Sequence, residues 1–177
     1  MESNKNNQQQ NLDWYRSRLC YITGSRVGDL MHSSRKAGEV FGDTAKSYLY
    51  QIAAERQMNE KIINNDETFA AYVYQTSITT KSMQFGIDME QDARLIYSKK
   101  TGREIIDVAS CRHDTIPFFA SSPDGVYKEN DTVIGCLEIK CPNQNTFMKY
   151  KMEISDNESL KKVNPDYYYQ CQSHMMC

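Results

Sequence analysis

SSPDGVYKENDTVIGCLEIKCP, residues 121–142, is the segment that decides both the fold class and the candidate chemistry. Its SPDG text is typical of a tight turn and places Asp124 in that turn. Residues 133–139 have the apolar composition of a strand. Because side chains alternate between the two faces of a strand, Glu138 and Lys140 project to one side. We therefore predict a hairpin that brings these two side chains back to Asp124.

Two carboxylates and one ammonium group at the end of a hairpin suit metal-assisted hydrolysis of a phosphodiester. Carboxylate oxygens hold Mg²⁺, for which Mn²⁺ can substitute, and leave coordination sites for water. The ion neutralises charge on the phosphate, while Lys140 orients the attacking water or helps to deprotonate it. Asp124 and Glu138 are fourteen positions apart, and this spacing taken alone favours a charged surface hairpin over a metal site.

Helical patterns lie on both sides of the hairpin. Helices are predicted over most of 12–30, over 44–59, over 82–101 and after Pro142. The first of these regions holds two helices, separated by a turn at 23–25, and Ser25 is expected to cap the second. Gly102 is expected to end the helix at 82–101, and Asn164–Pro165 to interrupt the helical region after Pro142. The predicted strands are 104–110, 118–121 and 133–139, and 31–43 is predicted to be a loop. Phe85, Met89, Ala93 and Ile96 lie on one stripe of the long helix. This order of elements indicates an α/β fold around a small sheet.

The composition is that of an ordinary globular protein, with 40% apolar and 25% charged residues among 177. A net charge of −2 gives no overall basic field. The segment 16–36 is nevertheless cationic, with five Lys or Arg residues against Asp29 alone. The first eleven residues are rich in Asn and Gln and are predicted to be disordered, which leaves 12–177 as a single domain.

No segment of the sequence has the length and hydropathy of a membrane span or a secretory signal, so we expect a cytoplasmic protein. The six cysteines include no C-x-x-C pair and are expected to be reduced thiols in that compartment. The sequence ends at Cys177 within a predicted helix, which suggests that the 177 residues are a fragment of a longer protein.

Six motifs occur in order along the chain. They are W-x-x-x-R-x-x-x-I-T-x-S at 14–25, G-x-x-x-E-x-x-A-R at 86–94, T-G at 101–102, S-P-D-G at 122–125, L-E-I-K-C-P at 137–142 and Y-x-x-Q-x-Q at 167–172. In this series the sequence resembles the phage lambda-type exonucleases, or YqaJ-like viral recombinases, of the PD-(D/E)-X-K superfamily. The resemblance implies a restriction-endonuclease-like core with a small mixed central sheet flanked by helices.

The resemblance also implies roles for three groups of residues. The metal would be bound by Asp114, Asp124, Glu138 and the carbonyl oxygen of Ile139. Catalysis would involve Asp124 and Glu138 together with Lys140, Glu90 and Gln170. The terminal 5′-phosphate would be held by Arg18, Ser25 and Ser122. The residues leave simpler readings open. Glu90 and Arg94 fit a helix surface pair, Asp114 fits a turn, and Arg18 fits a solvated cation.

The function implied is a Mg²⁺-dependent exonuclease that degrades duplex DNA from 5′ to 3′ and serves phage or viral recombination with a single-strand annealing protein as partner. Assembly into a homo-oligomer is compatible with this reading. The metal motif does not fix polarity or dependence on ends, so an endonuclease on the same core is an alternative. A non-catalytic DNA-binding or assembly module is another, although no metal carboxylate or lysine is missing.

Overall fold

The computed structural model describes residues 11–77 and 80–177, so the disorder predicted for residues 1–11 lies outside the described residues except for Asn11. The helices described are α1 Leu12–Arg18, α2 Val27–Met31, α3 Asp43–Glu55, α4 Glu60–Ile63, α5 Asp66–Thr76, α6 Lys81–Thr101, α7 Gln144–Glu153, α8 Asn157–Val163 and α9 Pro165–Met176. The strands are β1 Ile22–Thr23, β2 Cys111–Arg112, β3 Phe119–Ser121, β4 Gly125–Glu129 and β5 Thr132–Leu137, and a 3-10 turn covers Gly24–Arg26. In the described part of the chain no helix is both long and apolar enough to cross a membrane.

The strands form two small sheets that confirm the predicted α/β class. In the first sheet, β3 is central, parallel to β1 and antiparallel to β2, with Ile22 opposite Phe119 and Cys111 opposite Ser121. The second sheet is the antiparallel pair of β4 and β5. Because β3 leads through residues 122–124, with a bend at Asp124, directly into β4, the two sheets meet at Asp124.

The predicted hairpin is present and its ends are closely joined. Gly125 lies opposite Leu137, and the Asp124 N–H donates to the Leu137 carbonyl at 2.9 Å. At the tip, Asn130 and Asp131 have φ values of 49° and 64°. Two successive positive φ values match the turns that close two-residue hairpins, a conformation that Asn and Asp tolerate.

The strand predicted at 104–110 is wrong. Within it Ile106 makes only an isolated bridge to Val126, and the pairing strand is β2 at Cys111–Arg112. The Ile105 side chain instead covers the start of the hairpin, where a Cβ on Gly125 would lie 2.3 Å from Ile105 Cγ2. The strand predicted at 133–139 ends at Leu137, so Glu138 and Lys140 follow the strand directly.

The turn predicted at 23–25 is present one residue later, as the 3-10 turn Gly24–Arg26 that follows β1. The prediction for Ser25 needs correction. Ser25 does not cap α2, whose N-cap residue is Arg26 without a side-chain hydrogen bond. The Ser25 hydroxyl is engaged elsewhere, because it accepts a hydrogen bond from Arg18.

The buried apolar residues described come from α3, α5, β3 and β4. They are Ala45, Tyr48, Ile52, Phe69, Phe119, Ala120 and Val126. The stripe of α6 is largely outside this core, since Phe85 and Ile96 are about half exposed, at 51% and 53%. Gly102 ends α6 in a left-handed conformation, as predicted.

The last helix also begins where the sequence predicts. Pro165 is its first residue, where a missing N–H costs nothing, and the Asn164 side chain accepts from the Tyr167 N–H at 3.1 Å. The start of α9 is therefore fixed by local sequence, which in turn fixes the direction in which Gln170 and His174 project.

Candidate metal and phosphate site

A cleft of about 500 Å³ lies between the hairpin ends and helices α1, α6 and α9. It is lined by all but one of the residues that the sequence singles out: Arg18, Ser25, Glu90, Ser122, Asp124, Glu138, Ile139, Lys140 and Gln170. Residues separated by up to 152 positions along the chain therefore share one cavity, as Arg18 and Gln170 do.

Asp124 is held at the base of the hairpin with only 9% of its surface exposed. Its Oδ2 accepts a hydrogen bond from the Ile139 N–H at 2.5 Å, which ties the bend at Asp124 to the second residue after β5. Burial, followed by the nearby charges of Glu138 and Glu90, raises the pKa of Asp124 to about 7. Asp124 is thus a carboxylate whose ionisation is opposed by its own surroundings.

Glu138 faces Asp124 and is surrounded by hydrogen-bond donors. Its Oε1 accepts hydrogen bonds from Lys140 Nζ at 2.5 Å and from Gln170 Nε2 at 2.6 Å. Its Oε2 is paired with His174 Nε2 at 2.7 Å. Burial alone would raise the pKa of Glu138, but the hydrogen bond from His174 and the charge of Lys140 outweigh it and lower that pKa. Glu138 is therefore the ionised member of the pair, whereas Asp124 is the member that takes up a proton more easily.

Lys140 is the cation of the cleft. Burial favours its neutral form, yet the negative charges of Glu138 and Asp124 outweigh this and raise the pKa of Lys140. Its Nζ also lies 4.9 Å from the centre of the Tyr167 ring. A lysine held in its charged form can orient a water or stabilise an oxyanion, whereas it is poorly suited to accept a proton.

Glu90 fits both readings of the sequence at once. It is paired with Arg94 one turn further along α6 at 2.8 Å, and its side chain also lines the cleft. Arg94 in turn contacts the Asp107 carboxylate, which links α6 to the segment before β2. Burial is the main reason that the pKa of Glu90 is raised.

Arg18 and the two serines form a cluster at the other end of the cleft. The Arg18 guanidinium donates to Ser122 Oγ at 2.8 Å and to Ser25 Oγ at 3.1 Å, and it stacks over Trp14 at 4.2 Å. Burial lowers the pKa of Arg18, although a guanidinium remains charged in proteins. In this cluster one half-buried positive charge donates hydrogen bonds to two serine hydroxyl groups.

The other cations of the 16–36 segment serve different contacts. Arg16 is paired with Asp13 and Asp66, while Arg26 is paired with Asp29. Of the five cations in that segment, Arg18 alone is a lining residue of the described cleft.

Asp114 is the one predicted site residue that the structure does not bring to the cleft. It is exposed in the turn between β2 and β3 and is absent from the residues that line the cavity.

His174 was missed by sequence reasoning. Its ring contacts Glu138 and Ser121, and its position one helical turn after Gln170 is a signal that could have found it.

The donor set fits a hard divalent cation such as Mg²⁺. Among residues 11–77 and 80–177 there is no group of three His, Cys, Asp or Glu side chains arranged to hold a metal ion. Asp124 and Glu138 nevertheless bring two carboxylates together in a buried cleft, where burial first and the charge of Glu138 second raise the pKa of Asp124. Mg²⁺ is commonly held by one or two carboxylates while retaining several waters, so two such ligands and a nearby carbonyl suffice.

Comparison with known proteins shows the family of this chain. The family model described as "YqaJ-like viral recombinase domain" matches residues 13–177. The chain belongs to this family. A search of curated proteins gives no match for this YqaJ-like domain.

Solved structures show the same fold. The crystal structure of an alkaline exonuclease (LHK-Exo) from Laribacter hongkongensis matches with a TM-score of 0.67 and 28% sequence identity, over 94% of this chain and 68% of that one. LHK-Exo in complex with dAMP gives a TM-score of 0.67, 27% identity and the same shares of both chains. The YqaJ-like domain therefore has the PD-(D/E)-X-K fold of these exonucleases.

Proposed function

We propose that this YqaJ-like domain is a Mg²⁺-dependent exonuclease that degrades duplex DNA from its 5′ ends. The observation that carries the proposal is the cleft itself, which joins the Asp124–Glu138–Lys140 group to the Arg18–Ser25–Ser122 cluster. The first group suits phosphodiester hydrolysis and the second suits an anion. The structural likeness to an alkaline exonuclease supports the same assignment.

Asp124, Glu138 and the carbonyl oxygen of Ile139 are the residues that would hold the cation. A bound Mg²⁺ would supply positive charge against the phosphate and acidify a water molecule. For Asp114, which the resemblance adds to this set, the test is a Mn²⁺ titration of Asp114→Asn: unchanged affinity would remove it from the ligands.

Lys140 and Gln170 act on the reacting groups from the protein side. The charged Lys140 ammonium orients the attacking water and offsets the negative charge that grows on the phosphate oxygens. Gln170 donates to the same Glu138 oxygen as Lys140, and so borders the place where the phosphate would lie. Glu90, whose pKa is raised by burial, is the third carboxylate of the cleft and is suited to hold a water there.

The direction of digestion follows from the Arg18 cluster. A terminal 5′-phosphate carries more charge than an internal phosphodiester, so a guanidinium flanked by two hydroxyl groups favours phosphorylated ends. Binding of that end would place the first internal phosphodiester toward Asp124 and Glu138. Duplex DNA is thus the proposed substrate. A single-strand annealing protein in phage or viral recombination is the proposed partner, and a host cytoplasm is the proposed place of action.

The test uses end-labelled linear duplex and closed circular DNA, each incubated with Mg²⁺ or with EDTA. We expect digestion of the linear DNA alone, only with metal, and faster from 5′-phosphate than from 5′-hydroxyl ends. Asp124→Asn should abolish digestion, whereas Asp131→Asn, the same exchange at the hairpin tip, should not. Cleavage of the circle would indicate an endonuclease, and binding of DNA without any cleavage would indicate a non-catalytic module.

A further inference from the structure

We propose that His174 is a positioning residue, which holds the Glu138 carboxylate in the orientation used for metal binding and is itself held by Ser121. This inference rests on the proposed function, because it concerns the same carboxylate. It adds two residues, His174 and Ser121, to those that the six sequence motifs and their family resemblance imply.

The contacts form one continuous chain through the interior. Ser121 Oγ lies 2.6 Å from His174 Nδ1, and His174 Nε2 lies 2.7 Å from Glu138 Oε2. Ser121 is fully buried at 0% exposure, and the His174 side chain is 1% exposed. Both ring nitrogens therefore have protein partners, and water has almost no access to the ring.

The donor and the acceptor in the two hydrogen bonds of the His174 ring follow from the ionised state of Glu138. An ionised carboxylate only accepts hydrogen bonds, so Nε2 of His174 donates to Glu138. In the neutral ring Nδ1 is then an acceptor, and the Ser121 hydroxyl donates to it. Ser121 thereby selects the tautomer that presents a hydrogen to Glu138.

Ser121 and His174 belong to firmly placed elements. Ser121 is the last residue of β3, the central strand, while His174 lies on α9. The 3-10 turn packs closely between them, since a Cβ added to Gly24 would lie 2.2 Å from Ser121 Oγ and 3.1 Å from Ser173 Cβ. Glu138 follows the last residue of β5, so His174 supplies a fixed point where the strand pairing has ended.

Fixing Glu138 at Oε2 leaves its orientation defined even when Lys140 and Gln170 at Oε1 rearrange around a substrate. Residues that hydrogen-bond a metal ligand from behind commonly change metal affinity by about 10–100-fold when they are removed. The prediction for His174 is an effect of that size on metal binding in the absence of DNA.

Two amide substitutions separate positioning from packing. In His174→Gln the side-chain nitrogen reaches the place of Nε2 and can still donate to Glu138. In His174→Asn the amide reaches only the place of Nδ1, so the link to Ser121 can persist while the link to Glu138 is lost. Both variants bury a neutral amide, and they differ by one methylene group.

The measurement is Mn²⁺ affinity by calorimetry without DNA, together with urea unfolding in EDTA. We expect the glutamine variant to bind Mn²⁺ nearly as tightly as the wild-type protein, and the asparagine variant to bind about 10–100-fold more weakly. Equal, wild-type affinities in the two folded variants would overturn the proposal, because a packing role lowers stability without separating them. His32→Asn, at an exposed histidine that also faces a carboxylate, should leave Mn²⁺ affinity unchanged.

If the asparagine variant does not fold, Ser121→Ala replaces it. This change keeps the ring and removes the group that selects its tautomer, so weaker Mn²⁺ binding is expected and wild-type affinity would refute the chain of contacts. DNA digestion measured in parallel keeps the two proposals apart. Weakened Mn²⁺ binding in the variant, together with a wild-type protein that digests no DNA, supports the positioning role and refutes the nuclease. Digestion of DNA by the wild-type protein, together with unchanged Mn²⁺ affinity in the variants, does the reverse.

Discussion

Asp124 should make the metal-free protein less stable, and Asp124→Asn should therefore stabilise it. In the fold the carboxylate is buried and faces Glu138 and Glu90, which raises its pKa to about 7. An asparagine keeps the shape and can still accept the hydrogen bond from the Ile139 N–H. It removes only the charge that the surroundings oppose.

The size of the effect follows from the pKa. Each factor of ten in proton affinity is worth about 1.4 kcal/mol, so a pKa near 7 against an ordinary 3.8 corresponds to about 4 kcal/mol as an upper figure. Below pH 3.8 the carboxyl is protonated in both the folded and unfolded chain, and Asp124 costs nothing. Between pH 3.8 and 7 the unfolded chain ionises first, so stability falls as pH rises. Above pH 7 the cost is complete.

The assay is urea unfolding of the wild-type protein and of Asp124→Asn in EDTA, at pH 5 and at pH 8. The variant should be the more stable protein at both values, with the larger advantage at pH 8. Excess Mn²⁺ should reverse the order, because only the wild-type site gains binding energy. Asp131→Asn at the exposed tip should show no such dependence on pH. Equal stability of wild type and Asp124→Asn at pH 8 would refute the reasoning.

Three further outcomes are expected. Lys140→Ala should lower digestion of linear DNA by at least about 100-fold while largely sparing Mn²⁺ binding, since the charge of Lys140 is needed mainly in the transition state. Lys128→Ala, on the same hairpin, is the control. Near wild-type rates for Lys140→Ala would remove the role of Lys140. Arg18→Ala should erase most of the preference for 5′-phosphate ends at one fixed salt concentration, whereas an equal loss on both ends would show a nonspecific cation. Gly125→Ala should reduce the free energy of unfolding by about 1–3 kcal/mol, because the new Cβ meets the stiff Ile105 side chain; unchanged stability in urea would contradict this packing.

The sequence predicted those parts of the site that local rules define. The hairpin, its return strand and the position of Pro165 each follow from residues close together in the chain, and the structure contains all three. At the SPDG segment it has a bend at Asp124 in place of the predicted tight turn. The cleft residues implied by the family motifs also share one cavity, apart from Asp114.

What the sequence could not predict depends on contacts between distant segments. The apolar run at 104–110 has the composition of a strand, yet the structure uses it differently. Its Ile105 side chain covers Gly125, and its backbone pairs with β4 only through the bridge between Ile106 and Val126. His174 lacks the spacing of a metal ligand, and its role emerges only when α9 lies beside β3 and Glu138. The stripe of α6 has helical periodicity, which shows where apolar residues align but not what they contact.

The two ends of the hairpin face different demands. Its tip can vary in length, whereas its open end must keep the distance between the Asp124 and Glu138 carboxylates. Asp124 and Glu138 sit at its open end, where the Asp124 N–H to Leu137 carbonyl bond fixes their separation. The tip at Asn130 and Asp131 lies five paired positions away, beyond a bulge at Tyr127 and Lys128. Residues inserted at the tip would extend into solvent and leave the spacing of the two carboxylates unchanged. This tip is therefore the natural place to graft a fluorescent label or a peptide tag without altering the chemistry of the cleft.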